Sequence, residues 1–133
     1  MQRSKSSLVL RKDDYDIIQS LLRNTYQKHS FDRKNIEELQ LDLKKAKLVS
    51  PEKFPVDAVR LNSRVKIKED TNDKIMVFVV VTPEKANIKE RKISVMAPIG
   101  AALIGFRQGQ QVKWQVPSGK KTFTIMEVSN QHD

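Results

Sequence analysis

The chain changes its hydrophobic period once, near residue 50. Before that point apolar residues recur three and four apart. Asp13 and Asp14 suit the first turn of a helix, where the helix dipole favours negative charge. After them Tyr15, Ile18, Leu21 and Leu22 share one face, broadened by Ile17 and extended by Tyr26. A polar break follows at Gln27-Lys28-His29-Ser30, and Asp32 suits the N-cap of a second helix. Ile36, Leu39, Leu43 and Ala46 then form a heptad-like seam, with Leu41 and Leu48 on its flank. Two amphipathic helices joined by a few residues make an antiparallel hairpin. Each is too short to be stable alone, so the pair must pack on itself, on the rest of the chain or on a partner.

Ser50-Pro51 ends the second helix, because the residue before a proline avoids the α region. With Pro55 close behind, Ser50–Pro55 marks the joint between two modules. From residue 58 the period is two. Val59, Leu61, Val65 and Ile67 alternate with Arg60, Arg64, Lys66 and Lys68, predicting a strand with one apolar and one basic face. Lys74–Pro83 is apolar on both faces, which predicts a central strand covered on both sides. Further strands are expected at Ile93-Val95, at Val112-Trp114-Val116 and, after a Pro117-Ser118-Gly119 turn, at Phe123-Ile125-Val128. Between them lies Pro98–Gly105. Proline suits a first helical position and glycine the left-handed stop after a helix, so this segment predicts a very short helix plugging one face of the sheet.

The pattern therefore predicts an α+β protein. A short helical hairpin over 1–50 is followed by a linker over 51–57. A mostly antiparallel sheet domain of five or six strands with one short helix then covers 58–133.

Composition narrows the chemistry. The chain has 133 residues, 31% of them charged, and a formal net charge of +9. That excess draws a protein toward polyanions or acidic protein faces without specifying a fold. Absence of cysteine removes disulfides, thiol catalysis and thiolate metal sites. No apolar run approaches the roughly 18 residues that span a bilayer, and Met1–Leu10 lacks a signal-peptide core. The expectation is a cytoplasmic protein with no membrane contact.

Catalytic patterns are missing. His29 and His132 fall in an expected loop and at the C-terminal end, with no nucleophile or carboxylate spaced around them. Gly100, Gly105 and Gly109 match neither phosphate-binding glycine motif. The acidic pairs and clusters at Glu37-Glu38 and Glu69-Asp70-Asp73 read as a solvated helix face and a turn. No metal, cofactor or small-molecule ligand is implied, and an independent enzyme is not expected.

Ile93-Ser94, Ala97-Pro98-Ile99-Gly100, Ala102-Leu103-Ile104-Gly105 and Gly109 together resemble the signature of the GreA/GreB transcription elongation factor family, C-terminal domain. The Pro117–Gly119 turn and Asn62-Ser63-Arg64-Val65 also match family positions. The runs 50–59, 61–67 and 94–105 are similar to the short-hairpin branch of that family called regulators of nucleoside diphosphate kinase. The resemblance covers roughly residues 35–128. It implies an FK506-binding-protein-like (FKBP-like) sheet domain, a shortened coiled coil, and a bacterial partner, RNA polymerase, met near its secondary channel. Gre factors carry two acidic residues at a long hairpin tip that hold the catalytic Mg²⁺ for transcript cleavage. Here the expected tip holds His29, Asp32 and Arg33, with one carboxylate among Lys28, Arg33 and Lys34, so cleavage is not expected. The family's acidic residue and serine before the motif proline are replaced by Met96 and Ala97.

Two binding surfaces are open on these grounds, and one enzymatic reading. The first surface is a polymerase-docking turn of Met96, Ala97, Pro98, Ile99 and Gly100, exposed as an apolar tip or else buried. The second is a DNA- or RNA-binding face of Arg60, Arg64, Lys66 and Lys68 with Lys89, Arg91 and Lys92, whose affinity would fall steeply with salt. Prolyl isomerase activity is suggested only by the sheet class and lacks an aromatic pocket.

Overall fold

A computed structural model describes residues 8–25, 33–116 and 119–130. The elements are β1 (Val9–Arg11), α1 (Lys12–Thr25), α2 (Arg33–Lys45), β2 (Lys47–Val49), β3 (Arg64–Glu69), β4 (Lys74–Val81), β5 (Lys92–Ser94), α3 (Pro98–Leu103), β6 (Gln111–Val116) and β7 (Gly119–Ser129). Short 3-10 turns lie at Pro51–Lys53, Pro83–Lys85 and Ile88–Glu90. Five strands form one sheet in the order β5-β4-β3-β7-β6, antiparallel except for the β4–β5 pair.

The helices follow their apolar stripes. Ile18 and Leu22 of α1 and Leu39 and Leu43 of α2 are buried, while Ile17 and Leu41 face solvent. Arg11 hydrogen-bonds Asp13 at the start of α1, and that bond holds the Asp13 carboxyl below its usual range. The hairpin tip, including His29 and Asp32, lies outside the described residues, as do Pro117, Ser118 and His132.

One core runs through both halves of the chain. Ile18, Leu39 and Leu43 belong to the same buried cluster as Val65, Ile67, Phe106, Phe123 and Ile125. A two-stranded parallel sheet of β1 and β2, absent from the sequence-based expectation, frames the base of the hairpin. It is fastened to the larger sheet's side of the molecule where the Val9 N–H reaches the Gly105 carbonyl. Gly105 has φ +85°, a backbone conformation that favours glycine, and the Leu8 side chain packs close beside it.

Three expectations need correction. Residues 58–63 are a turn, not the start of a strand, because Asn62 adopts φ 75° and the Ser63 hydroxyl accepts the Arg60 N–H. Asn130 clamps this turn, donating to the Val56 and Ala58 carbonyls at 3.0 and 2.9 Å and bonding Ser63. The central strand is β3, whereas β4 lies one place from the edge and its Ile75 is 46% exposed. Arg60 is not part of a basic surface. It is buried against Asp14, whose carboxylate accepts Arg60 Nε at 3.0 Å and Nη2 at 3.1 Å.

That ion pair generates the first prediction. Asp14→Ala removes a charged acceptor from inside the protein and should cost about 3–5 kcal/mol in urea unfolding. The double change Asp14→Leu with Arg60→Met should recover most of it, since an apolar pair of similar volume carries no desolvation cost.

Candidate functional site

The sheet has a covered face and an open one. Val65, Ile67 and Glu69 of β3 point to the covered side, where α3 and the hairpin lie, and Arg64, Lys66 and Lys68 point to the other. Register sets Lys66 beside Val77 on β4 and Glu127 on β7, and Arg64 beside Val79 and Ser129. A bulge in β7 between the partners of Lys66 and Ile67 leaves Met126 as an extra, exposed residue. The open face thus mixes aliphatic residues of β4 with a basic row from β3. Exposed Lys113 of β6 and Lys120 of β7 sit farther along. Glu127 lines a depression with Arg64 and Lys66 and sets a counter-charge beside the row.

Of the sequence-proposed basic set, the structure keeps Arg64, Lys66 and Lys68 together. Lys68 lies 3.7 Å from Asp73, and Lys92, opposite Val79, pairs with Glu90 at 3.0 Å. Arg91 adopts φ 62° after the Ile88–Glu90 turn and lines a groove with Arg64, while Lys89 is exposed on that turn. Arg60 is on the other side of the molecule's chemistry, in the core.

The turn after β5 is wound tightly. The Val95 N–H donates to the Val81 carbonyl at 2.8 Å and fixes the chain to the end of β4. Ser94 Oγ accepts the Met96 N–H at 2.9 Å, and the Ser94 carbonyl accepts the Ala97 N–H at 3.0 Å. Ala97 is the N-cap of α3 without a side-chain cap bond, and Pro98 occupies the first turn. A Cβ on Gly100 would stand 2.1 Å from the Ser94 carbonyl oxygen, so the close approach of α3 to the turn needs glycine.

Burial divides the proposed docking turn. Met96 is fully buried and Ile99 and Gly100 are buried, whereas Ala97 and Pro98 are half-exposed. An apolar tip led by Met96 is therefore corrected: its side chain anchors the turn from inside, and the accessible corner is Ala97-Pro98. Period-two patterning could not separate these cases, because a turn has no period.

The acidic groups are held in place by neighbours. Glu69 is buried and lies 3.4 Å from Lys121, and Asp70 accepts from Gln111 and Thr124. Among the described residues no three His, Asp or Glu side chains gather as a metal site, and no helix is long and apolar enough to cross a membrane. Asp14, read from the sequence only as a first-turn acid, and Ser94, read only as part of the family signature, are structural keys to these surfaces. Asp14 meets Arg60 across 46 positions, a pairing no local pattern encodes.

Gly100→Ala tests how far the turn depends on this packing. The substitution should cost about 2–3 kcal/mol, with the melting temperature lowered and the amide signals of Ser94–Pro98's neighbours displaced in NMR spectra.

Comparison with known proteins gives a consistent result. The family profile "Transcription elongation factor, GreA/GreB, C-term" matches residues 54–130, spanning both the turn and the sheet. The regulator of nucleoside diphosphate kinase of Escherichia coli (strain K12) is 40% identical over 84 residues, covering 63% of this chain and 62% of that protein. Transcription elongation factor GreA of Amoebophilus asiaticus is 34% identical over 94 residues, 71% of this chain and 58% of that protein. The aligned regions thus span less than two thirds of these relatives' length. A solved structure, the prokaryotic transcription elongation factor GreA/GreB from Nitrosomonas europaea, superposes with a TM-score of 0.77 at 28% identity, covering 93% of this chain and 100% of that one.

Proposed function

The chain belongs to the GreA/GreB transcription elongation factor family, and from that membership we propose that it is a non-enzymatic regulator of transcription that binds RNA polymerase in the cytoplasm. The observation that carries this reading is the family match across a tightly bonded turn whose partly exposed corner is Ala97-Pro98. A turn held by Val81, Ser94 and buried Met96 presents that corner without an ordering cost, so small contacts there translate into affinity. The polymerase surface near the secondary channel is the proposed partner.

Transcript cleavage is not part of the proposed activity. α1 and α2 have 14 and 13 residues, a reach of roughly 20 Å at the helical rise. The expected tip sequence offers the single carboxylate of Asp32 among cations. One carboxylate in a positive field is a poor ligand set for Mg²⁺, which prefers oxygen donors that neutralise its charge.

A pull-down of core RNA polymerase at about 0.15 M salt tests the docking turn. The wild-type chain should retain polymerase, and Ala97→Asp with Pro98→Ala should lose it. Met96 is left intact because its removal would open the core. Failure of the wild type to bind removes the reading. In a second arm, the protein added to backtracked complexes with Mg²⁺ should not raise transcript cleavage above the protein-free rate.

The clustering of Arg64, Lys66 and Lys68 on the open sheet face favours one further reading, a nucleic-acid contact. It predicts duplex DNA or RNA binding that weakens by orders of magnitude between about 50 and 200 mM salt and is lost in Arg64→Glu/Lys66→Glu. Binding insensitive to both changes excludes that face.

A further inference from the structure

Strand β4 is longer than the strand beside it. β5 pairs only with Val79, Val80 and Val81, and among the described residues no strand covers the same side of β4 from Lys74 to Phe78. The direction of the main-chain groups follows from the bonds nearby. The Val79 N–H donates to the Arg91 carbonyl and the Val81 carbonyl accepts from Val95, both toward β5, while the Val80 N–H donates to Ser63 on the β3 side. Alternation along the strand therefore aims the N–H and C=O groups of Ile75 and Val77 at the uncovered side.

Edges of this kind are ordinarily guarded by lysine, proline, a bulge or a covering segment. Between Ile75 and Phe78 this edge carries only Ile, Met, Val and Phe, and the bulge of the sheet lies in β7 instead. A groove of about 440 Å³ follows it, walled by Glu90, Arg91 and Arg64. Met76 and Phe78, on the core side, are only partly buried although they pack against the core.

We propose that the open edge of β4 from Ile75 to Phe78 is a strand-addition site for an extended, acidic segment of a partner protein that alternates aliphatic and carboxylate side chains. The main-chain groups of Ile75 and Val77 give the added strand its hydrogen bonds, as in other cases of sheet extension. Aliphatic side chains on the inner side complete the burial of Met76 and Phe78. Carboxylates on the outer side meet the Arg64 and Arg91 guanidinium groups, which take carboxylates in bidentate fashion. The two guanidinium groups favour this occupant, the Glu90 carboxylate of the wall being paired with Lys92 at 3.0 Å. A second copy would bring two sets of Lys74, Arg64 and Arg91 into one junction, where like charges oppose pairing. A nucleic acid has no repeating main-chain N–H and C=O groups with which to pair those of Ile75 and Val77. The site goes beyond polymerase docking at the turn and does not depend on it.

The test uses the full chain, ¹⁵N-labelled, titrated with the peptide acetyl-(Glu-Val)₄-amide and separately with acetyl-(Lys-Val)₄-amide. The glutamate peptide should shift amide signals confined to residues 74–79 and 88–92 and slow hydrogen exchange at Ile75 and Val77 by about tenfold or more. The lysine peptide should do neither. Arg64→Glu, a change on the exposed face that leaves the core intact, should weaken the response to the glutamate peptide, and so should methylation of alternate peptide nitrogens. The proposal is overturned by no response to the glutamate peptide at millimolar concentration, by an equal response to the lysine peptide, or by shifts centred elsewhere. It is equally overturned if sedimentation finds a dimer whose Ile75 and Val77 amides are already protected without peptide, since a second copy then fills the edge.

Discussion

The buried pair of Asp14 and Arg60 decides how the two halves of this protein meet. One charge comes from the first turn of α1, the other from the turn that leads into β3, and both are withdrawn from water. The Leu61 N–H approaches the same carboxylate at 3.4 Å, so a single acidic group serves the guanidinium and the backbone of the turn. Desolvating two ions offsets much of their attraction, and such a pair adds little net stability compared with an apolar replacement. What it does enforce is position. An α1 shifted by one helical turn would leave an ion buried without its partner, which is far more costly than a displaced leucine.

Position in turn determines which side chains remain available for binding. Because Arg60 is drawn inward, the basic row begins at Arg64, where Asn130 and Ser63 have set the direction of β3. Because Met96 is drawn inward, the turn after β5 is anchored by its own side chain and offers only Ala97 and Pro98. In both places a residue that reads as surface chemistry is spent on holding the neighbouring surface residues still.

The α+β architecture, the hairpin stripes and the short helix at Pro98 were legible because each rests on a period or on the fixed backbone preferences of proline and glycine. Ile18, Leu22, Leu39 and Leu43 sit where a spacing of three and four places them. β1 and β2 were not legible, since three residues are too few to show a period and their pairing joins positions 38 apart, as in Val9 and Lys47. The strand assigned to residue 58 onward failed for a related reason: Val59 and Leu61 alternate, yet a left-handed Asn62 and the side-chain bonds of Ser63 turn the chain there. β4 misled in the opposite sense. Its apolar residues on both faces implied two coverings, but Met76 and Phe78 face the core while Ile75 and Val77 lie on the open face, and the neighbouring strand is too short to pair beside them.

That neighbour, β5, links the two surfaces. It has three residues and runs parallel to β4, with Lys92 opposite Val79 and Ser94 opposite Val81. An earlier start would have covered Ile75 and Val77, and its end delivers the chain to the turn at Ser94. The open edge therefore lies before β5 and the Ala97-Pro98 corner after it, at opposite ends of the same short strand. A strand added beside Ile75 and Val77 would abut Arg91 and leave the turn untouched. Coupling between two sites needs an element with two arrangements that both ligands bias. β5 is bonded to β4 along its whole length and continues into a turn packed around Met96, so no such alternative arrangement is built in. Under the two proposals, a strand at the edge and a partner at the turn would then bind independently.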